Sequence, residues 1–341
     1  MSLQRVARLW RDLGDGRVQC LVCNRRCVIA PGRRGVCGNY ANVGGVLIHV
    51  GYGRVSAMES RPIEIKPLFH YWPNSTAFTF SGWGCNFYCP WCQNSAISFR
   101  RPEESDEEIP PSYIVEQALA LGDQGLCASF NEPTTLFDYL LDVFSEGRKR
   151  GLYGTIVTNG YQTRKAIEML VEAGVDGWSI DIKGCPQMTR ALQGIDHEKV
   201  FRNAKYLLDL GAHVEMVYLV IPNTNDLCYQ WIVEKHLDYL GPKVPLHINR
   251  YYPAHRWSEP PTPISMLLEI AEYAKRQGVE YVYVGNVHDP ELESTYCPRC
   301  GKKLIERRWY RVYMYNLDHD GTRYRCPRCG YEVPIRGRIV L

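Results

Sequence analysis

The sequence predicts an α/β chain: a partial or full parallel β/α barrel with a cysteine-rich N-terminal extension and a C-terminal zinc ribbon. Three observations carry that expectation. Strands and helices alternate from Thr76 to about Asp289, four cysteines crowd into residues 20–37, and two C-x2-C knuckles stand near the C-terminus. The expected segments are a leader over 1–75, a barrel over 76–290 and a zinc-ribbon-like tail over 291–341.

The alternation can be followed element by element. Ala77–Phe80 reads as a strand, and the next helix has Ser112 as its N-cap and Ile114, Val115, Ala118 and Leu119 as its apolar face. Strands at Leu126–Phe130, Gly154–Thr158, Gly177–Ile182, His213–Val220, Val244–Ile248 and Tyr281–Val284 alternate with apolar repeats at helical spacing. Thr163 is placed to cap one of these helices. Gly174, Gly211, Gly241 and Gly278 each follow a helix just before a strand, where a left-handed C-cap belongs. Such a βαβ rhythm calls for crossover connections and a parallel sheet. In the leader, Val46–Val50 and Arg54–Met58 flank Gly51-Tyr52-Gly53 as an expected hairpin.

Composition sets outer limits. The 341 residues are 45% hydrophobic and 23% charged, the profile of a globular protein. Residues 1–8 are polar, and no apolar run approaches the roughly 20 residues of a membrane span. Fourteen cysteines in clustered patterns read as metal sites in a reducing compartment, hence a cytoplasmic protein. Residues 296–341 carry eleven Lys/Arg against four Asp/Glu, so their net +7 leaves −4 for the rest of a chain of net +3. The basicity belongs to the tail.

Cys85, Cys89 and Cys92 form a C-x3-C-x2-C motif among Gly84, Asn86 and Pro90, which favour a tight non-helical loop. Three thiolates so spaced suit three irons of a [4Fe–4S] cluster, leaving the fourth iron open. Further polar residues fall at the ends of successive strands, where barrels gather ligand groups: Asn131 and Glu132, Asn159, Asp181 and Lys183, Asn223, and His247. Alternation along a strand puts Asp181 and Lys183 on one face. Any one of these could be a capping or turn residue; their joint placement makes them a candidate set.

Phe87-Tyr88-Cys89-Pro90-Trp91-Cys92-Gln93-Asn94 resembles the cluster loop of radical S-adenosylmethionine (SAM) enzymes. The branch it looks most like contains the AmmeMemoRadiSam system proteins and, more distantly, pyruvate formate-lyase activating enzyme. The resemblance implies a [4Fe–4S] cluster on Cys85, Cys89 and Cys92, with SAM on its open iron and Trp91 near the adenine. It implies Glu132 near the SAM ammonium, in place of a Gly-Gly-Glu motif whose glycines are here Phe130 and Asn131. Asp181 and Lys183 match an Asp-x-Lys motif near the SAM carboxylate, and the Asn223 loop resembles the ribose side. Implied partners are a ferredoxin or flavodoxin electron donor, a protein substrate and a Memo-like or AMME-type protein.

Both flanking segments carry metal-ligand patterns. Cys20, Cys23, Cys27 and Cys37 suggest a tetrahedral zinc site or an auxiliary iron–sulfur cluster, with incidental thiols as the alternative. Cys297, Cys300, Cys326 and Cys329 have the paired spacing of a structural zinc site, which a tail this short needs as a staple. Similar segments flank the barrel in AmmeMemoRadiSam proteins. Cys185, just past Lys183, reads as a bystander thiol, with Cys127 and Cys228 likewise unpaired. The expected function is reductive cleavage of SAM to a 5′-deoxyadenosyl radical that abstracts hydrogen from a substrate. The alternatives are a glycyl-radical-enzyme activase and, from the basic aromatic tail, an RNA-binding or RNA-modifying protein.

Overall fold

The computed structural model describes residues 5–189, 192 and 194–340. The chain divides into two compact units, Met1–Arg61 with Ala77–Asp176, and Pro62–Thr76 with Gly177–Leu341. This division cuts across the expected boundaries. The leader belongs with the first strands and the tail with the last ones.

In the first unit β1 (Thr76–Ser81), β2 (Gly125–Ala128) and β3 (Tyr153–Thr158) run parallel, with Phe78 opposite Leu126 and Cys127 opposite Thr155. All four residues of β2 are buried, the mark of a strand covered on both faces. The helices are α1 (Pro111–Ala120), α2 (Phe137–Lys149) and α3 (Arg164–Ala173). Helix α1 starts at Pro111, so Ser112 lies inside it rather than capping it; proline suits a first-turn position whose N–H would go unused. Thr163 does cap α3, accepting from the Ala166 N–H at 3.3 Å, and Gly174 ends it at φ 113°.

The leader's hairpin differs from the expected one. Val46–His49 pairs back with Tyr40–Val43 around Gly44-Gly45, not forward across Gly51-Tyr52-Gly53. Gly44 and Gly45 both have positive φ, which a tight two-residue turn demands. The hairpin is bolted to α2. Tyr40 Oη donates to Asp138 Oδ2 at 2.8 Å, and His49 Nδ1 lies 3.1 Å from the same oxygen. A second leader sheet, Trp10–Asp12, Val18–Cys20 and Val28–Ile29, is antiparallel. Its continuation meets the end of β3, where Asn24 N–H donates to Tyr161 O at 2.8 Å and Thr163 N–H to Val22 O at 3.1 Å.

In the second unit β4 (Val175–Ile182), β5 (His213–Val220), β6 (Leu246–Arg250) and β7 (Val282–Gly285) are parallel in chain order. Their helices are α4 (His197–Asp209), α5 (Tyr229–Leu240) and α6 (Ile264–Gln277). The tail forms two short antiparallel sheets of three strands: Thr295–Tyr296, Lys303–Arg308 and Arg311–Tyr315, then Asp318–His319, Tyr324–Arg325 and Glu332–Val333. A core of Phe69, Tyr281, Tyr283, Leu304, Ile305 and Val333 joins tail to sheet.

A buried polar network runs through that junction. Glu215, fully buried, takes hydrogen bonds from the His70 N–H at 2.7 Å and pairs with His213 at 2.9 Å and His247 at 2.6 Å. His70 Nε2 meets Tyr283 Oη at 2.6 Å, and Tyr283 Oη meets Thr295 Oγ1 at 2.8 Å. Arg307, also fully buried, donates to Thr295 Oγ1 at 2.7 Å and Phe69 O at 2.6 Å, with Glu64 3.8 Å from its Nε. Among the described residues no helix is long and apolar enough to cross a membrane.

Candidate active site and cysteine centres

Beyond β1 the chain enters the loop of Cys85, Cys89 and Cys92, none of which is in a disulfide. Gly84 enters it at φ 81°, and a Cβ there would stand 2.2 Å from Cys37 O, so only glycine lets the two backbones approach. The end of β2 is stitched to this loop. Asn131 Nδ2 donates to Gly82 O at 2.7 Å and Gly84 O at 2.8 Å, and Asn94 Nδ2 donates back to Phe130 O. Phe130 sits at φ 67°, a strained left-handed conformation for a bulky residue. The glycine-to-phenylalanine departure therefore keeps a glycine-like backbone, and Asn131 gains a side-chain tie in exchange.

Glu132 and Asn159 continue the lacing. Glu132 Oε1 accepts from Thr134 N–H at 3.0 Å, Thr158 Oγ1 at 2.7 Å and the Thr134 hydroxyl; Oε2 accepts from Asn159 N–H at 2.8 Å. Burial raises its pKa, against the pull of these donors. The carboxylate is thus a strut between the ends of β2 and β3. Asn159 Nδ2 donates to Asn86 Oδ1 at 2.7 Å, and Arg25 Nε donates to Asn86 O at 2.7 Å. Trp91 is buried.

In the second unit Asp181 and Lys183 share a face as expected, with Nζ 2.8 Å from Oδ2. Asn223 lies in the turn after β5 at φ 55°, its amide donating to Glu259 at 3.0 Å. His247 is the second residue of β6 instead of lying near a strand's end, because that strand begins at Leu246; its ring is committed to Glu215. Cys185 and Cys228 are not bystander thiols. They form a disulfide with Cα atoms 5.4 Å apart, linking the loop after β4 to the turn that opens α5.

The cysteine groups differ in spacing. Cys297 and Cys329 sulfurs lie 3.5 Å apart and Cys300 and Cys326 sulfurs 3.6 Å, and all four lie within 4.8 Å of one another. Burial works against the Cys326 thiolate, yet backbone N–H groups of Arg328 and Cys329 hold its pKa below the usual thiol value. No other group of His, Cys, Asp or Glu among the described residues gathers three ligand atoms so closely. Cys85, Cys89 and Cys92 do not form such a close group. Nor do Cys20, Cys23, Cys27 and Cys37, which line a single cavity with Asn86 on its wall.

In the sequence Asn86 reads only as a turn former, and its place directly after Cys85 is the signal for its role here. The disulfide and the Glu215 network had no local signature.

A model described as Radical SAM superfamily matches residues 81–236. The Uncharacterized protein MJ0808 of Methanocaldococcus jannaschii is 37% identical over 335 residues, 97% of this chain and 99% of that protein. Pyruvate formate-lyase-activating enzyme of Streptococcus mutans is 24% identical over 154 residues, 42% of this chain and 58% of that enzyme. Among solved structures, Streptococcus suis SuiB bound to S-adenosylmethionine aligns with TM-score 0.49 and 15% identity over 64% of this chain and 50% of that one. The chain shares a family with the Methanocaldococcus protein along nearly all of its length and carries, over residues 81–236, a domain of the radical SAM superfamily, whose members are enzymes.

Proposed function

We propose that Cys85, Cys89 and Cys92 hold a [4Fe–4S] cluster at which this enzyme reductively cleaves SAM and then abstracts hydrogen from a protein or peptide substrate. The observation that supports this most is the open three-thiol loop, fixed to the ends of β2 and β3 by Asn131 and Asn159. When bound, cluster and SAM together supply a one-electron cleavage to methionine and a 5′-deoxyadenosyl radical. The chain's own part is positional. Asn131 and Asn159 keep the loop from shifting, Glu132 braces both strand ends with acceptor capacity left on Oε2, and buried Trp91 helps exclude water. Asp181 and Lys183 offer an anion and a cation for the amino-acid end of SAM, and Asn223 a polar group for its ribose. We leave His247 out of this set, because Glu215 holds it.

The same reading takes the tail cysteines as one structural zinc site. A Zn–S distance of about 2.3 Å in a tetrahedron sets sulfurs about 3.8 Å apart, close to the two measured separations. The AmmeMemoRadiSam-like assignment, a Memo-like or AMME-type partner, a ferredoxin or flavodoxin donor and a cytoplasmic location belong to the proposal. The test is anaerobic reconstitution with iron, sulfide, SAM and a strong reductant, followed by assay for 5′-deoxyadenosine. Cys85→Ala/Cys89→Ala/Cys92→Ala should produce none; continued production by that variant overturns the reading.

A second reading rests on the tail's surface. Trp309 is 75% and Tyr313 69% exposed, with Arg308 stacked over Tyr313 at 4.3 Å. Such a surface suits single-stranded RNA. It requires a salt-dependent RNA mobility shift that Trp309→Ala/Tyr313→Ala removes; no shift at low salt rejects it.

A further inference from the structure

We infer that Cys20, Cys23, Cys27 and Cys37 ligate a second iron–sulfur cluster, and that this cluster passes electrons to the Cys85 loop. The metal assignment stands on the leader's own geometry; the relay rests on the function proposed above.

Four free thiols face one cavity, yet they do not gather into a close group as the tail sulfurs do. A single zinc would draw four sulfurs to about 3.8 Å from one another. A cubane binds each thiolate to a different iron, so its sulfurs stand farther apart around a body of many atoms. The spacing chooses the cluster. A further donor points the same way. Asn86 is 2% exposed, lines this cavity, and its Nδ2 has no hydrogen-bond partner among the described residues. An N–H directed at a cluster sulfide or thiolate would satisfy it. Arg25, on the same wall, offsets the negative charge of a thiolate-ligated cluster.

The relay follows from how closely the two cysteine loops abut. Asn86 is the neighbour of Cys85 and walls the leader cavity. Gly84 leaves no room for a Cβ beside Cys37 O, and Tyr88 Oη donates to Val36 O at 3.0 Å. Backbone bonds and hydrogen bonds therefore connect the two sites with no solvent gap to cross at these contacts. A one-electron donor of the ferredoxin or flavodoxin class is oxidised by one electron, and the leader cluster goes from 2+ to 1+. It returns to 2+ as that electron moves to the Cys85 site, and no proton or bond changes at either.

The experiment measures iron, acid-labile sulfide and zinc in the reconstituted full chain. Wild type should hold about eight iron and one zinc. Cys85→Ala/Cys89→Ala/Cys92→Ala should keep about four iron and four sulfide, with the spectrum of a fully thiolate-ligated cluster that SAM does not perturb. Cys20→Ser/Cys23→Ser/Cys27→Ser/Cys37→Ser should keep the SAM-responsive cluster but reduce at least tenfold more slowly with a flavodoxin. Cys27→Ser alone, at a partly exposed loop position, serves if the fourfold variant does not fold. A second zinc in place of the leader iron, or iron that vanishes wholly from the Cys85 triple variant, overturns the inference while leaving the proposed function standing. Iron that stays in the triple variant, with none at the Cys85 loop of wild type, upholds the leader site and sinks the function. Unchanged reduction in the leader variant overturns the relay.

Discussion

Leader and tail each present four cysteines, yet the tail closes on a point and the leader opens around a cavity. In the tail, Cys297 and Cys326 each begin the same knuckle. The Gly301 N–H returns to Cys297 O at 2.9 Å and the Gly330 N–H to Cys326 O at 2.8 Å. Two equal turns facing each other place four sulfurs at one spot. In the leader the unequal C-x2-C-x3-C-x9-C spacing threads loops and a hairpin, and the hairpin is fastened to α2 by its own hydrogen bonds. Cysteine count thus says little about what is bound; what holds the backbone apart decides it. Under the proposed function the tail folds around its metal, whereas the leader is held by protein contacts.

The largest effect that tests this contrast is metal removal. Cys300→Ser, or a strong chelator, should cost the tail about 10 kcal/mol of metal-linked stability and abolish amide-exchange protection over 296–340. Cys27→Ser should leave protection in the first unit intact. Equal loss in both would dissolve the distinction. Next comes Arg307→Ala, expected to destabilise the second unit by about 3–5 kcal/mol because buried Glu64 loses its countercharge. Denaturant melts that show less than 1 kcal/mol would mean the tail needs only its metal.

Acid offers a third test. Burial lowers His70 to about 3 and His236 to about 4, so the folded second unit prefers both neutral. Their contribution is complete above pH 6.5 and is lost as pH falls from there toward 3. Glu64, raised to about 7 by burial, acts oppositely, favouring the fold below pH 4.5 and losing that advantage as pH rises through 7. His236→Gln should flatten the acid limb of thermal melts; an unaltered limb would remove His236 from the account. The smallest effect belongs to the leader. Tyr40→Phe removes the buried bond to Asp138 and should cost about 1–2 kcal/mol, without altering the metal content of either cysteine group.

What sequence reading captured was local. The cap at Thr163, the left-handed glycines at 174 and 278 and the strand His213–Val220 each depend on a few adjacent residues. So does the Asp181–Lys183 pair. What it missed depends on distant pairing. The true hairpin turn at Gly44-Gly45 competed with an equally glycine-rich stretch seven residues later, and only the bolts to Asp138 decide between them. Reading the strand from Val244 puts His247 near its end, whereas the strand starts at Leu246, and its partner Glu215 lies on the neighbouring strand. Cys185 and Cys228 are 43 residues apart, with nothing in either neighbourhood to announce the other.

That cross-link has a practical consequence. Closing a loop of this length restrains the open chain by on the order of 4 kcal/mol, and it ties down the segment that follows Asp181 and Lys183. The dithionite that primes an enzyme of this class also favours the dithiol form. A ligand screen on air-handled protein and a turnover assay on primed protein are therefore measurements on two different covalent species, one with its loop tethered and one with it released. Mass spectrometry of the alkylated protein before each experiment is what makes their results comparable.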